Sequence, residues 1–235
     1  MHPENSKKIN FLIVCLSLIT CLEAAKKNLS AEEQMFTHVY ESHMWWTGET
    51  DSGIGSNLHP TQVIRREIPK IIKQFQIQSM LDIPCGDFNW MQHVALDIPY
   101  IGADIVKDII QKAQKKYGNN NRAFIHLDII TSQLPKTDLI LCRDCLVHLP
   151  YEQVWQALKN IKQSGSKYFL TTSHTNTTQN INIHLGGWRS LNLLAPPFNF
   201  PQPLFILHEG GFEKPDKCLI LWAVEDIPTE VQPYI

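Results

Sequence analysis

Four short apolar runs in the chain end on polar side chains: LDIPCGDFNW, YIGADIV, FIHLDI and LILCRDCLVHL. In an open α/β sheet, ligands bind beyond the carboxyl ends of the strands, where the strand order reverses. If these runs are strands of one sheet, their terminal acids converge on one crevice. Asp104 follows Gly86 by 18 residues, near the roughly 20 at which an acidic side chain holds a ribose diol. Gly86 lets the backbone approach a ligand where the first strand turns into a helix. Asp87 either offers its carboxylate to that ligand or caps the helix. A reaction that removes a proton there would draw on Asp144, His148, His174 or, further along, His184. Cys142 and Cys145 form a CxxC spacing, but no second Cys or His pair follows at zinc-site spacing. An extended strand would also point them to opposite faces. No metal site is expected.

The elements that must position these residues alternate. Strand candidates are SMLDIP, YIGADIV, AFIHLDI, DLILCRD and KYFLTTS, with PLFILHE and KCLILWAVE near the end. Helix candidates between them are NWMQHVAL, VKDIIQKAQKKY stopped by Gly118, and YEQVWQALKNIKQ stopped before Gly165. Alternation of this kind argues for a parallel sheet with helices on both faces. The near-continuous apolar strands suit burial on both sides. Two helices precede this core. Ser30 with Glu33 makes a capping box for the first, with Phe36, Val39, Tyr40 and His43 on one side. The second, TQVIRREIPKIIKQF, carries Val63, Ile64, Ile68, Ile71, Ile72 and Phe75 at helical spacing, and Pro69 should kink or interrupt it.

Composition sets the outer bounds. The 235 residues carry 21 Lys plus Arg against 23 Asp plus Glu, a net charge of −2, and 43% are hydrophobic. Such a chain is too apolar for disorder and too lightly charged for a binder that relies on a global positive field. No nucleic-acid partner is expected. One domain over residues 26–235 is the natural division at this length.

With these residues in view, the chain resembles the class I S-adenosylmethionine-dependent methyltransferases over residues 79–173. LDIPCGDF is similar to their first motif, with Asp82 as its acid and Gly86 as its central glycine. The resemblance implies an α/β, Rossmann-like doubly wound, mostly parallel seven-stranded sheet with N-terminal helices added. It also implies S-adenosyl-L-methionine as cofactor. By that resemblance Asp104 holds the ribose hydroxyls, Asp128 and Ile129 lie against the adenine, and Arg143 with Asp144 flank the methionine end. His148 falls where many members carry a His after strand four. Pro84 and Phe88 replace the first and third glycines of the usual pattern. Phe88 would crowd a dinucleotide phosphate, which S-adenosylmethionine lacks. A wider likeness, through SGIGS, LDIPCGDFNWM, ILCRDCLVHLP, NIKQSGSKYFLTT and GGWRSLNLLAPPFNFPQP, spans residues 36–222. It is to a bacterial methyltransferase-like subgroup of unassigned substrate.

Methyl transfer to an unidentified small-molecule or glycan acceptor is therefore the leading expectation, with Asp144 and His148 as candidate bases. A nicotinamide-dependent oxidoreductase and a non-catalytic nucleoside-binding protein are the alternatives. No GxGxxG is present to support the former. Residues 174–205 read as the substrate and lid segment. Within them Trp188, Arg189, Asn192 and Phe198 combine aromatic faces, a fixed cation and an amide. That mix suits a sugar, an aromatic or a carboxylate-bearing acceptor. At the other end, Lys7 and Lys8 precede an uncharged run over residues 9–22, then Glu23, Ala24 and Ala25. This reads as a secretory signal or membrane anchor over residues 1–25 and the chain's only membrane contact. It conflicts with a cofactor made in the cytoplasm, which leaves the localisation open.

Overall fold

The computed structural model describes residues 29–210 and 216–230. The expected leader at residues 1–25 lies outside them. Two helices, α1 (Ala31–Glu41) and α2 (Gln62–Gln74), precede the sheet region. Then come β1 (Met80–Asp82), β2 (Tyr100–Asp104), α3 (Lys107–Tyr117), β3 (Arg122–His126), β4 (Leu139–Cys142), α4 (Tyr151–Gln163) and β5 (Tyr168–His174). The last strands are β6 (Phe205–His208) and β7 (Lys217–Ala223).

The strands form one seven-stranded sheet in the order β3-β2-β1-β4-β5-β7-β6. Neighbours among β1 to β5 pair in parallel, and β7 runs antiparallel between β5 and β6. The order reverses between β1 and β4. Asp82 stands level with Gly102 on β2 and Leu141 on β4, so acids and turns at these ends meet at one edge.

Alternation along the strands builds a core on each face. Leu139 and Leu141 of β4 join one apolar cluster, while Ile140 and Cys142 join the other. Ile64, Ile68 and Ile71 of α2 cover the first, and Val154, Ala157, Leu158 and Ile161 of α4 cover the second. Each fully buried Ile or Leu contributes about 1.5–3 kcal/mol. That burial explains why α2 runs unbroken through Pro69, against the expected interruption. Pro69 donates no hydrogen bond to the preceding turn, and the anchored isoleucine stripe holds the helix across the gap.

Two further expectations are corrected. NWMQHVAL forms only a single turn, Met91–His93, rather than a helix. The segment is too short to sustain a helix on its own, and burial of Trp90, Met91 and Val94 sets its path instead. Residues 174–205, expected as the substrate and lid segment, do not line the crevice. Leu191, Leu193, Phe198 and Phe200 are buried in the core, and Phe200 packs edge-on to Trp222 with centroids 4.8 Å apart.

The cover comes from the chain's front. Ser30 caps α1, its Oγ accepting from the Glu33 amide at 3.1 Å. The Glu33 carboxylate does not close the capping box but faces His126 at 3.2 Å. Glu32 accepts from Gln153 on α4, and Tyr40 meets the Lys112 ammonium of α3 at 2.7 Å. Residues 42–57 then cross the carboxyl edge of the sheet as a strap. Asp87 fastens it: Oδ2 accepts from the Thr50 hydroxyl at 2.7 Å and the Asp51 amide at 3.1 Å. Oδ1 accepts from the Ser52 hydroxyl and from the Asn89 amide, each at 3.2 Å.

Gly86 is required by this strap. Its φ is +56°, and a Cβ there would lie 2.3 Å from the Ser52 Oγ. Gly86→Ala should therefore lower stability by about 1–3 kcal/mol through left-handed backbone strain and the displaced hydroxyl. Ser52→Gly in the same chain should return about 1 kcal/mol of that. Urea unfolding of the single and double variants reads the coupling, and strict additivity would refute the contact.

Candidate functional site

A crevice opens at the carboxyl edge where the strand order reverses. Its floor is the ends of β1, β2 and β4, and its walls are α1 and the strap. The structure brings Asp82, Gly86, Asp87, Asp104, Asp128, Ile129, Arg143, Asp144 and His148 together along this crevice. These are the residues expected at the strand ends.

Each is held differently. Asp104, buried at the end of β2, accepts from the Gly86 amide at 3.1 Å and the Val106 amide at 2.9 Å. Burial pushes its carboxyl up to about 6. Asp82 accepts from the Tyr100 hydroxyl at 2.6 Å, and burial pushes its carboxyl up to about 7, opposed by that hydrogen bond. Asp128 closes a turn, accepting from the Ile130 amide at 2.8 Å and the Thr131 hydroxyl at 2.6 Å. Asp87 caps no helix and is taken up by the strap. Phe88 departs from expectation. Its φ is +62° and its ring is wholly buried beside Tyr100, Tyr117 and Phe124, so it faces the core rather than a ligand.

Arg143 and Asp144 belong to a buried ion network. Arg143 grips Glu209 through Nη2–Oε2 at 2.7 Å and Nε–Oε1 at 3.3 Å, and lies 3.1 Å from the Asp144 Oδ2. Lys217, the first residue of β7, donates to the same Asp144 oxygen at 2.6 Å. The Asp144 φ is +54°, and its amide donates to the Thr172 hydroxyl at 2.8 Å. Burial would raise its carboxyl, but Arg143 and Lys217 outweigh that and hold it well below the usual range. A carboxylate so stabilised takes up a proton poorly. This corrects its candidacy as base.

His148 is arranged otherwise. Its Nδ1 lies 2.7 Å from the Gly187 carbonyl, which can only accept, so Nδ1 carries the hydrogen and Nε2 the lone pair. Burial holds the imidazole below its ordinary value, so it is neutral near pH 7. The Trp45 ring stacks on it, centroids 4.7 Å apart at 33°. The turn at Asp144 also brings Cys145 to the crevice wall while Cys142 stays buried beneath, both as free thiols.

The four residues expected to bind substrate do not line the crevice. Arg189 is buried, donates to the Leu149 carbonyl at 2.7 Å and stacks over Tyr151. Asn192 ties Thr177 and Leu194 together through its side chain. Phe198 is wholly buried against Tyr151 and Trp155. Trp188 is 48% exposed, sits against His174 and is absent from the crevice lining. Aromatic and amide groups suit a Pro-stiffened core segment as well as a binding one, and here packing wins. His174 and His184 are likewise absent from the crevice lining.

The residues missed are Glu32, Phe36, Val39 and Tyr40 of α1, with Trp45 and Asp51 of the strap. Positions 32, 36, 39 and 40 follow helical spacing, so the inner face of α1 is a crevice wall. The apolar side of that helix was legible; its target was not. Among the described residues, no group of side chains could hold a metal ion, and no helix is long and apolar enough to cross a membrane.

Residues 80–165 match the family model for a methyltransferase domain. Over 172 residues the chain is 25% identical to the uncharacterized methyltransferases Mb0092 of Mycobacterium bovis and Rv0089 of Mycobacterium tuberculosis, covering 68% of this chain and 84% of each. Among solved structures, human N-acetylserotonin methyltransferase in complex with S-adenosylmethionine aligns with a TM-score of 0.55 at 15% identity, over 83% of this chain and 59% of that one. The PH0226 protein of Pyrococcus horikoshii aligns with 0.53 at 16%, over 78% and 98%. These structures share the fold.

The residues present fit S-adenosylmethionine. Glu32, Asp51, Asp82, Asp87, Asp104, Asp128 and Asp144 line the crevice against one guanidinium, Arg143, which Glu209 already pairs. That excess of carboxylate suits a sulfonium, and Ile105, Val106 and Ile129 offer apolar contact to its base. With a methyltransferase domain match across its cofactor half, similarity to uncharacterized methyltransferases along two thirds of its length and this sheet order, the chain has the fold of the class I methyltransferases and is similar to methyltransferases in sequence.

Proposed function

We propose that the enzyme methylates a small molecule, or a single sugar unit of a glycan, with His148 as the general base. The observation that carries this reading is the fixed tautomer of His148, whose Nε2 is the one side-chain nitrogen of the crevice lining with a free lone pair. A crevice covered by α1 and the strap favours an acceptor of limited size.

When bound, S-adenosylmethionine supplies a methyl group already activated by the sulfonium charge. The chain's residues have the tasks of holding, orienting and deprotonating. Asp104 takes the ribose hydroxyls with the lone pairs its two amide bonds leave free. Ile129 and Asp128 bound the adenine, and Asp82, Gly86, Asp87 and Arg143 frame the methionine end. Asp144 stays ionised and adds negative potential beside the reacting centre. His148 accepts the proton of the acceptor's hydroxyl or amine, while the strap excludes water. Positioning supplies most of the rate in such a site, and a well-placed base adds about 10²–10⁴-fold.

Replacing His148 by Gln should lower kcat by about that factor, measured as transfer of labelled methyl into extract acceptors, with product-nucleoside affinity unchanged within a few-fold. In the parent enzyme, activity should fall only at pH values below the ordinary imidazole value of about 6.5, because burial disfavours the charged ring and a protonated Nε2 cannot accept. That acid limb should vanish in the variant. Full activity of His148→Gln would remove it as base.

Titration calorimetry separates this reading from its alternatives. S-adenosylmethionine and S-adenosylhomocysteine should both bind, and NAD should not. Binding of NAD alone would favour an oxidoreductase. Tight product binding without turnover on any extract would favour a non-catalytic protein.

For the leader we propose an anchoring role that keeps the domain on the cytoplasmic side, since the cofactor is made there. Residues 1–25 should then persist in protein recovered from membranes. A mature chain beginning after residue 25 in an exported fraction would overturn this.

A further inference from the structure

The charge of the crevice constrains what can share it with the cofactor. Arg143 is its one lining guanidinium, no lysine lines it, and Arg143 is already paired on both sides by Glu209 and Asp144. Lys217 behind it is committed to Asp144 at 2.6 Å and lies 3.5 Å from Glu209. Arg189, the cation expected to meet an acceptor carboxylate, is turned onto the Val147 and Leu149 carbonyls behind the wall. An acceptor's carboxylate or phosphate would therefore enter without a partner, among carboxylates, and both charge burial and repulsion would oppose it.

A cation would meet the opposite. Asp51 projects into the crevice from the strap, where its carboxylate pairs with His43 at 2.9 Å and also acts electrostatically on Lys112 behind the wall. The His43 side chain is 68% exposed, so solvent screens whatever charge it carries. Trp45, Phe36 and Tyr40 line the same wall, with Trp45 and Phe36 centroids 6.1 Å apart. A carboxylate beside aromatic rings is the chemistry that recognises an ammonium group. The neutral His148 completes it, because an ammonium must lose a proton before its nitrogen can act as a nucleophile.

We propose that the acceptor is a ring-sized amine without an anionic group, drawn in as its ammonium form by Asp51 opposite the Trp45 and Phe36 wall. This rests on the methyltransferase reading above and narrows its acceptor to one chemical class. The proton leaves the ammonium for the His148 Nε2 and passes from there to solvent, so the nitrogen lone pair is free and the base is regenerated.

Three probes of one shape test the charge alone. The full chain, saturated with S-adenosylhomocysteine, is titrated with benzylamine, benzyl alcohol and benzoate, and binding is read by tryptophan fluorescence. Benzylamine should bind about tenfold or more tighter than benzoate, with benzyl alcohol between. The preference should shrink as salt is raised. Asp51→Asn keeps the backbone amide that bonds Asp87, so the strap stays fastened, and the amine preference should drop by about threefold or more. Benzoate binding as well as benzylamine, no saturable benzylamine binding, or a preference untouched by Asp51→Asn would each overturn the proposal. Failure of S-adenosylhomocysteine itself to bind would instead strike the methyltransferase reading.

Discussion

One carboxylate holds the open side of this molecule together. Asp87 sits in the turn after β1 and receives the Thr50 and Ser52 hydroxyls and the Asp51 amide from a segment 35 or more residues earlier in the chain. Hydrogen bonds to a charged group contribute about 1.5–3 kcal/mol each, more than neutral ones. The same contact forbids a side chain at Gly86, because the Ser52 hydroxyl occupies the space a Cβ would take. The first-motif turn is thus shaped from above by the strap as well as from below by the sheet. Trp45 against His148, Asp51 in the crevice and Gly55 above Asp144 all follow from where that strap is tied.

The second organising feature joins distant parts of the chain. Arg143 and Asp144 follow β4, whereas Glu209 and Lys217 lie at the end of β6 and the start of β7. The antiparallel insertion of β7 between β5 and β6 brings them together. Buried ion pairs add little net stability, because desolvation offsets the attraction, but removing one partner leaves a buried charge uncompensated. The value of this network lies in what it fixes. Asp144 is kept ionised in a left-handed backbone position and is unavailable as a proton acceptor. Four residues on, burial and the Gly187 carbonyl act together on the His148 ring.

The sheet was legible in the sequence because burial on both faces writes itself as apolar runs ending in acids. The inner strands were visible this way, the partly exposed edge strands β3 and β6 by their apolar runs alone, and so were α3, α4 and the strand-end residues that meet in the crevice. Legibility failed where a residue type has two physical uses. Arg189, Asn192 and Phe198 have the composition of a binding surface, yet their partners are the Leu149 carbonyl, the Thr177 carbonyl and the Trp155 ring. Asp87 beside a glycine turn looks like a ligand or a cap, and only the fold reveals the strap above it. Pro69 in α2 shows the same limit from the backbone side, since packing of Ile64, Ile68 and Ile71 overrides a local breaker.

The inner face of α1 is the most instructive omission. Phe36, Val39 and Tyr40 share a side of the helix, a pattern that ordinarily means packing on a core. Of the helix's residues, however, only Val39 is buried, and Phe36 and Tyr40 remain half-buried on the crevice. A helix whose apolar face is left partly open over a charged cavity is a wall awaiting an occupant. Its carboxylates Glu32 and Glu33 are turned to Gln153 and His126, which dock the helix to the edge without closing the cavity beneath it. The strand ends therefore form the floor of the crevice, and the segment before the sheet forms its wall. That wall, drawn from residues 32–56, lies in a part of the chain that the methyltransferase domain match at residues 80–165 does not reach.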